Sequence, residues 1–169
     1  MRNIEIKVQL ELKSLLSNLR KLNTIDFGIL EQTDIYYLLG SSRLKIREEK
    51  NRYEVIYYRR GNKMGSKESL YYRVPLNNIT LKVSKFFLHM FLGAKKVVKK
   101  QRNLHFHAHT RIHLDKVENI GEFLELETVV DNEHDSGYFM DEHKRIVNIL
   151  NLSSFPQIAH SYSDFSTGV

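Results

Sequence analysis

Polar and apolar residues alternate along much of the chain. In RNIEIKVQL, residues 2–10, Ile4, Ile6, Val8 and Leu10 fall on one face, and Asn3, Glu5, Lys7 and Gln9 on the other. This period of two is that of a half-buried strand. The same alternation predicts strands over 32–38, 42–49, 52–59, 69–75, 96–106, 109–116 and 122–130. Three stretches follow a helical period instead. Over 11–22, Leu12, Leu15, Leu16, Leu19 and Leu22 form one stripe. Over 79–92, Val83, Phe86, Phe87, Met90 and Phe91 do the same, with Gly93 placed to end the helix. Over 136–150 the stripe is weaker, with Ile146, Ile149 and Leu150. Eight strands and a few helices in so short a chain predict an α+β fold: an eight-stranded antiparallel β-barrel with helices packed on its outside. The Phe-rich stripe of 79–92 is expected to cover the barrel's apolar exterior. Gly61–Lys67 is the clearest loop, and no stretch resembles a linker or repeat, so residues 1–169 are expected to form a single domain.

Splitting each strand into its faces changes the picture. In RLKIR, 43–47, Leu44 and Ile46 oppose Arg43, Lys45 and Arg47. In RIHLD, 111–115, Ile112 and Leu114 oppose Arg111, His113 and Asp115. In FLELE, 123–127, Leu124 and Leu126 oppose Phe123, Glu125 and Glu127, and in VVKKQR, 97–102, Lys100 and Arg102 share a face. One solvated face would explain any single strand. As a set, these faces contain almost no Ser or Thr, and like charges cluster within a strand, which costs free energy unless an opposite charge lies between them. If the barrel closes with its apolar faces outward, Arg43, Lys45, Arg47, Lys100, Arg102 and Arg111 line a tunnel against Glu5, Asp115, Glu125 and Glu127. Burying both sets is expensive without a ligand. A phosphate chain with divalent cations resolves the conflict: Arg and Lys take phosphate oxygens, and carboxylates hold Mg²⁺ or Mn²⁺.

Composition narrows the partners. Hydrophobic residues make up 41% and charged residues 27%, with no cysteine and a formal charge of +6. The apolar run at 86–92 is far too short to span a bilayer, and no secretory signal is visible, so no membrane association and an intracellular, cytoplasmic location are expected. The basic excess fits solubility, nucleic acid or a small polyanion. No nucleic-acid-binding module is recognisable, so a nucleic-acid partner is not expected. The histidines of LHFHAHTRIH, His105, His107, His109 and His113, have a strand spacing that can bind Zn²⁺, but exposed histidines about a turn explain most of them. His113 alone shares the predicted inner face.

These residues resemble a known family. The NxExK of 3–7, TDIYY at 33–37, RLKIRE at 43–48, VVKKQR at 97–102, RIHLDKVENIGEFLELE at 111–127 and SYSDF at 161–165 together are similar to the CYTH superfamily, the triphosphate tunnel metalloenzymes, which includes class IV adenylyl cyclases and thiamine triphosphatases. The resemblance implies a tunnel binding a triphosphate such as ATP, thiamine triphosphate or tripolyphosphate. Lys7, Arg43, Lys45, Arg47, Lys100 and Arg102 would bind phosphate, joined by Arg111 from the face analysis. Glu5, Glu125 and Glu127 would hold Mg²⁺ or Mn²⁺ with Asp115 assisting, and Glu5 and Lys7 are the candidate catalytic pair. Two positions depart from the family pattern. Asn3 replaces the first Glu of ExExK, and Tyr58 stands where a Lys is common, with Arg59 or Arg60 as the nearest substitutes. The reaction implied is triphosphate hydrolysis, with cyclisation of ATP to cyclic AMP and pyrophosphate, or binding without turnover, as alternatives. A homodimer is compatible with the sequence but nothing in it requires one.

Overall fold

The computed structural model describes residues 2–39, 42–60, 64–131 and 134–165. Its elements are β1 (Arg2–Gln9), a 3-10 turn (Leu12–Leu15) running into α1 (Leu16–Leu19), β2 (Ile25–Leu39), β3 (Ser42–Glu49), β4 (Arg52–Arg60), β5 (Lys67–Leu76), α2 (Asn78–Leu92), β6 (Ala94–His107), β7 (Thr110–Val117), β8 (Gly121–Val130) and α3 (Ser136–Ile149). The eight strands close into one antiparallel barrel in the order β1-β5-β4-β3-β2-β6-β7-β8. Part of the predicted loop, 61–63, lies outside the described residues. No helix among the described residues is long and apolar enough to cross a membrane.

The barrel is inverted: much of its apolar packing lies outside the ring. Ile6 and Val8 of β1, Ile112 and Leu114 of β7, and Leu124 and Leu126 of β8 point outward into one core. There they meet Leu12, Leu15, Leu19 and Leu22 of the first helical segment and Ile146, Val147 and Leu150 of α3. A second outer core packs Leu81 of α2 against Ile35, Tyr37 and Ile46. A third cluster, Tyr36, Val98, Val117, Phe123 and Tyr162, joins barrel strands to the C-terminal segment. That segment also mends a seam. β5 pairs with β1 only at Arg2–Glu5, and the backbone beyond is met by Pro156–Ile158: Gln9 N–H donates to Pro156 O at 2.9 Å, and Ile158 N–H to Lys7 O at 2.8 Å.

Three expectations are corrected. Residues 11–22 form only short 3-10 and α turns, neither with a side-chain cap, although the leucine stripe is buried except for Leu16. The helix at 79–92 forms, capped by Asn77, whose Oδ1 accepts from Ile79 N–H and Thr80 N–H at 2.9 and 2.8 Å, but it presents a different face to the barrel. Leu81 is buried and Leu88 and Leu92 pack beside it, while Val83, Phe86, Phe87, Met90 and Phe91 are exposed. Polar contacts match this rotation: Tyr37 Oη lies 3.1 Å from His89 Nδ1, and Lys85 pairs with Glu48 at 2.7 Å. β2 also begins earlier than its alternation predicts, at Ile25. An extra residue between Asp26 and Ile29 breaks the register against β6 there, and Gly28, at φ +84°, takes up the bulge.

Candidate functional site

The inner faces enclose a cavity of about 370 Å³. Register decides which side chains meet. Lys7 of β1, Glu125 of β8 and His113 of β7 lie on one line across three strands, and Glu5, Glu127 and Arg111 on the next. The result is an acidic wall on β1 and β8. The wall built from β3, β2 and β6 is basic, with Lys45 and Arg47 from β3 and Lys100 and Arg102 from β6. Among the described residues, the lining contains Lys7, Lys45, Arg47, Arg52, Arg73, Lys100, Arg102 and Arg111 against Glu5, Glu49, Glu125 and Glu127. A cavity with this excess of cations attracts an anion.

Two buried aspartates anchor the basic wall from beneath. Lys45 Nζ donates to Asp34 at 2.7 Å, and Arg47 donates to both carboxylate oxygens at 2.7 and 2.8 Å. Arg102 is bidentate on Asp115 at 2.7 Å, Lys100 reaches it at 3.3 Å, and Tyr162 Oη donates at 3.0 Å. Burial pushes both carboxyls up, but the surrounding Arg and Lys charges win and hold both below the ordinary carboxylate range. The lysines pay the opposite way. Burial, then the neighbouring Arg102, brings Lys100 down to about 7; burial, then Arg47, brings Lys45 down to about 8.

All the sequence-predicted site residues except Arg43 and Asp115 line the cavity. Arg43 pairs instead with Asp164 of the C-terminal segment at 3.2 Å. Asp115, expected beside a metal, has its oxygens taken by Arg102, Lys100 and Tyr162. Tyr58 also lines the cavity, with its hydroxyl 3.2 Å from Ser161 Oγ, whereas Arg59 is exposed. Asp34, Arg52, Arg73 and Tyr162 are contributors that the sequence reading left without a role. Asp34 lies within the quoted TDIYY, yet a lone acid on a strand gives no signal until its partners across the ladder are known.

The acidic wall has a donor set suited to a cation. Glu125 accepts from Lys7 at 3.1 Å and from Arg102 at 3.0 Å; Glu127 lies 3.8 Å from Arg111. One ligand atom from each of His113, Glu125 and Glu127 lies within 4.8 Å of the other two. Among the described residues, Asn3 Oδ1 and His113 Nδ1 are buried without a hydrogen-bond partner, His113 Nδ1 lying 3.7 Å from Glu125, and both residues line the cavity. Such orphaned acceptors are rare and would be satisfied by a bound cation. Burial, then Arg102, lowers the pKa of His113, which favours the neutral ring that can ligate a metal. Oxygens with one imidazole nitrogen fit a hard or borderline divalent ion.

A protein from Pyrococcus horikoshii, PH1012, superimposes with a TM-score of 0.76 at 20% identity, over 96% of this chain and 98% of that one. A candidate adenylate cyclase from Vibrio parahaemolyticus does so at 0.71 and 16%, over 96% and 95%. HpAC1 from Hippeastrum, a candidate adenylyl cyclase described as having a dominant triphosphatase activity, gives 0.58 and 15%, over 96% and 93%. At these identities the likeness is one of fold. No curated protein sequence matches the chain. The model of the CYTH domain, however, matches residues 1–162, and the chain therefore belongs to the CYTH family.

Proposed function

We propose that the chain, acting as one domain, is a divalent-metal-dependent hydrolase of a triphosphate-bearing molecule held inside the barrel. The observation that carries this reading is the pair of walls, one acidic and one basic, around a largely polar cavity inside the barrel. Lys45, Arg47, Lys100 and Arg102 bind the phosphate chain, with Arg52, Arg73 and Arg111 continuing the basic lining. Asp34 and Asp115 are positioning residues that keep those cations in place. Glu5, Glu125 and Glu127, with Asn3 and His113 beside them, hold Mg²⁺ or Mn²⁺, which when bound would neutralise charge on the phosphate oxygens. Lys7 exchanges its contact with Glu125 for a phosphate oxygen. Glu5 is the candidate acceptor of a proton from attacking water. Hydrolysis needs only these groups and water. A class IV adenylyl cyclase remains the second reading, supported by Phe27 and Phe106, which line the cavity with their rings 4.6 Å apart and could stack a base.

³¹P NMR with Mg²⁺ or Mn²⁺ tests the proposal, with ATP, thiamine triphosphate and tripolyphosphate supplied separately. Orthophosphate from any of them supports hydrolysis. Pyrophosphate with a cyclic phosphodiester from ATP supports the cyclase, and line broadening without turnover leaves only a binder. Spectra unchanged in shift and width would overturn the tunnel reading.

Binding should also depend on pH. Lys100 and Lys45, at about 7 and about 8 without ligand, are favoured in their charged forms by a bound polyphosphate. Binding therefore takes up protons above neutrality, and affinity falls as pH rises from 7.5 to 9, by at most about tenfold per unit for each lysine. Calorimetry in buffers of different ionisation enthalpy would detect the uptake, and Lys100→Met should reduce it. A proton-independent affinity would show that these amines do not contact the anion.

A further inference from the structure

A second cluster of ligating side chains lies outside the cavity, where the β6–β7 turn meets the entry to α3. His109 sits in the two-residue turn between β6 and β7, after Ala108 in a left-handed conformation at φ +48°. Asp131 follows β8, and His134 precedes Asp135, the N-cap of α3. One ligand atom from each of His109, Asp131 and His134 lies within 4.8 Å of the other two. Ligands around a tetrahedral Zn²⁺ sit about 3.3 Å apart, given bonds of about 2.0–2.2 Å. Binding would therefore require these side chains to draw together around the ion.

The surroundings are built to aim these groups. Glu142 of α3, buried, accepts from His109 Nδ1 at 3.0 Å and from the His109 backbone N–H at 3.1 Å. It also accepts from Thr110 Oγ1 at 2.6 Å. A carboxylate on Nδ1 fixes the tautomer and leaves Nε2 unprotonated, with a lone pair that can ligate a metal, the usual arrangement behind a metal-bound histidine. The imidazoles are also packed: His109 lies edge-on to Phe139 at 5.3 Å, and His134 stacks on Tyr138 at 4.4 Å. The positive end of α3 opposes a cation here, but it is offset by the carboxylates of Asp131, Asp135 and Glu142.

We propose that His109, Asp131 and His134 form a binding site for a borderline transition-metal dication of the Zn²⁺ class, with Glu142 as the positioning residue of His109. Two imidazoles and one carboxylate suit Zn²⁺ and Co²⁺ rather than Mg²⁺, and leave a coordination position for water. The ion would tie the β6–β7 turn, the end of β8 and the start of α3 together. The site shares no residue with the cavity and does not depend on the reaction proposed there.

Co²⁺ absorption and Zn²⁺ calorimetry on the full chain test the proposal, with Glu125→Gln/Glu127→Gln to disable the cavity's acidic wall. In that background one equivalent of Zn²⁺ should bind and Co²⁺ should show visible bands of low coordination number. His134→Ala, at an exposed position, should abolish both. Glu142→Gln should weaken binding about 10–100-fold. Zn²⁺, but not Mg²⁺, should raise the melting temperature of the background protein and leave that of the His134→Ala version unchanged. Absence of Zn²⁺ binding in the background protein, or undiminished binding after His134→Ala, would overturn the site.

Discussion

Glu127→Gln is expected to lower metal-dependent triphosphate turnover about 10²–10³-fold, the scale seen when one electrostatic stabiliser is lost from an active site. It should leave metal-free binding of tripolyphosphate nearly unchanged. Glu127 is the informative position because it is less embedded than its neighbour: its contact with Arg111 is 3.8 Å, whereas Glu125 is bonded to both Lys7 and Arg102. Glu125→Gln should abolish turnover too. However, it releases two cations from a carboxylate, so anion affinity without metal should rise. Steady-state kinetics and calorimetry on the two variants separate these effects. Full activity in Glu127→Gln would remove the acidic wall from the proposed metal site.

Asp34→Ala is expected to have the largest effect on stability, because it leaves Lys45 and Arg47 buried without their common counter-charge. Removing one partner of a buried ion pair costs about 3–5 kcal/mol, which for a chain of this size lowers the melting temperature by roughly 10 °C. Tripolyphosphate should raise the melting temperature of Asp34→Ala more than that of the unsubstituted protein, since the anion restores the missing negative charge. The acid limb follows the same logic. The carboxyls of Asp34 and Asp115 are held below their ordinary values. Their stabilising contribution is therefore complete above the unfolded carboxylate range and is lost as pH falls through the depressed folded values. Thermal melts with and without tripolyphosphate, at neutral and acid pH, check both points. A loss of under about 1 kcal/mol in Asp34→Ala, the scale of an exposed pair, would show that the basic wall does not need its anchor.

Most strands were legible because their two faces are chemically distinct, and the charges of Lys45, Arg47, Glu125 and Glu127 marked inner faces. Residues whose role depends on partners across the ladder were not legible. Asp34 and Asp115 are the same residue type as a metal ligand, and only the positions of Arg47 and Arg102 show them bonded to cations instead. The rotation of α2 was hidden for a related reason. Its strongest apolar stripe points outward, while the long-range contacts of Lys85 with Glu48 and His89 with Tyr37 accompany the weaker face on the barrel. His109, Asp131 and His134 come together only because the β6–β7 turn and the end of β8 close on the same edge of α3.

Because the outer cores lie around the ring and much of its interior is polar, cohesion and chemistry occupy different territories of this protein. An ordinary barrel filled with leucines must keep its interior to keep its fold. Here the interior is constrained by the balance of its charges more than by close apolar packing. Such a scaffold can exchange one anionic cargo for another through substitutions that preserve that balance, without redesign of the packing that gives it shape.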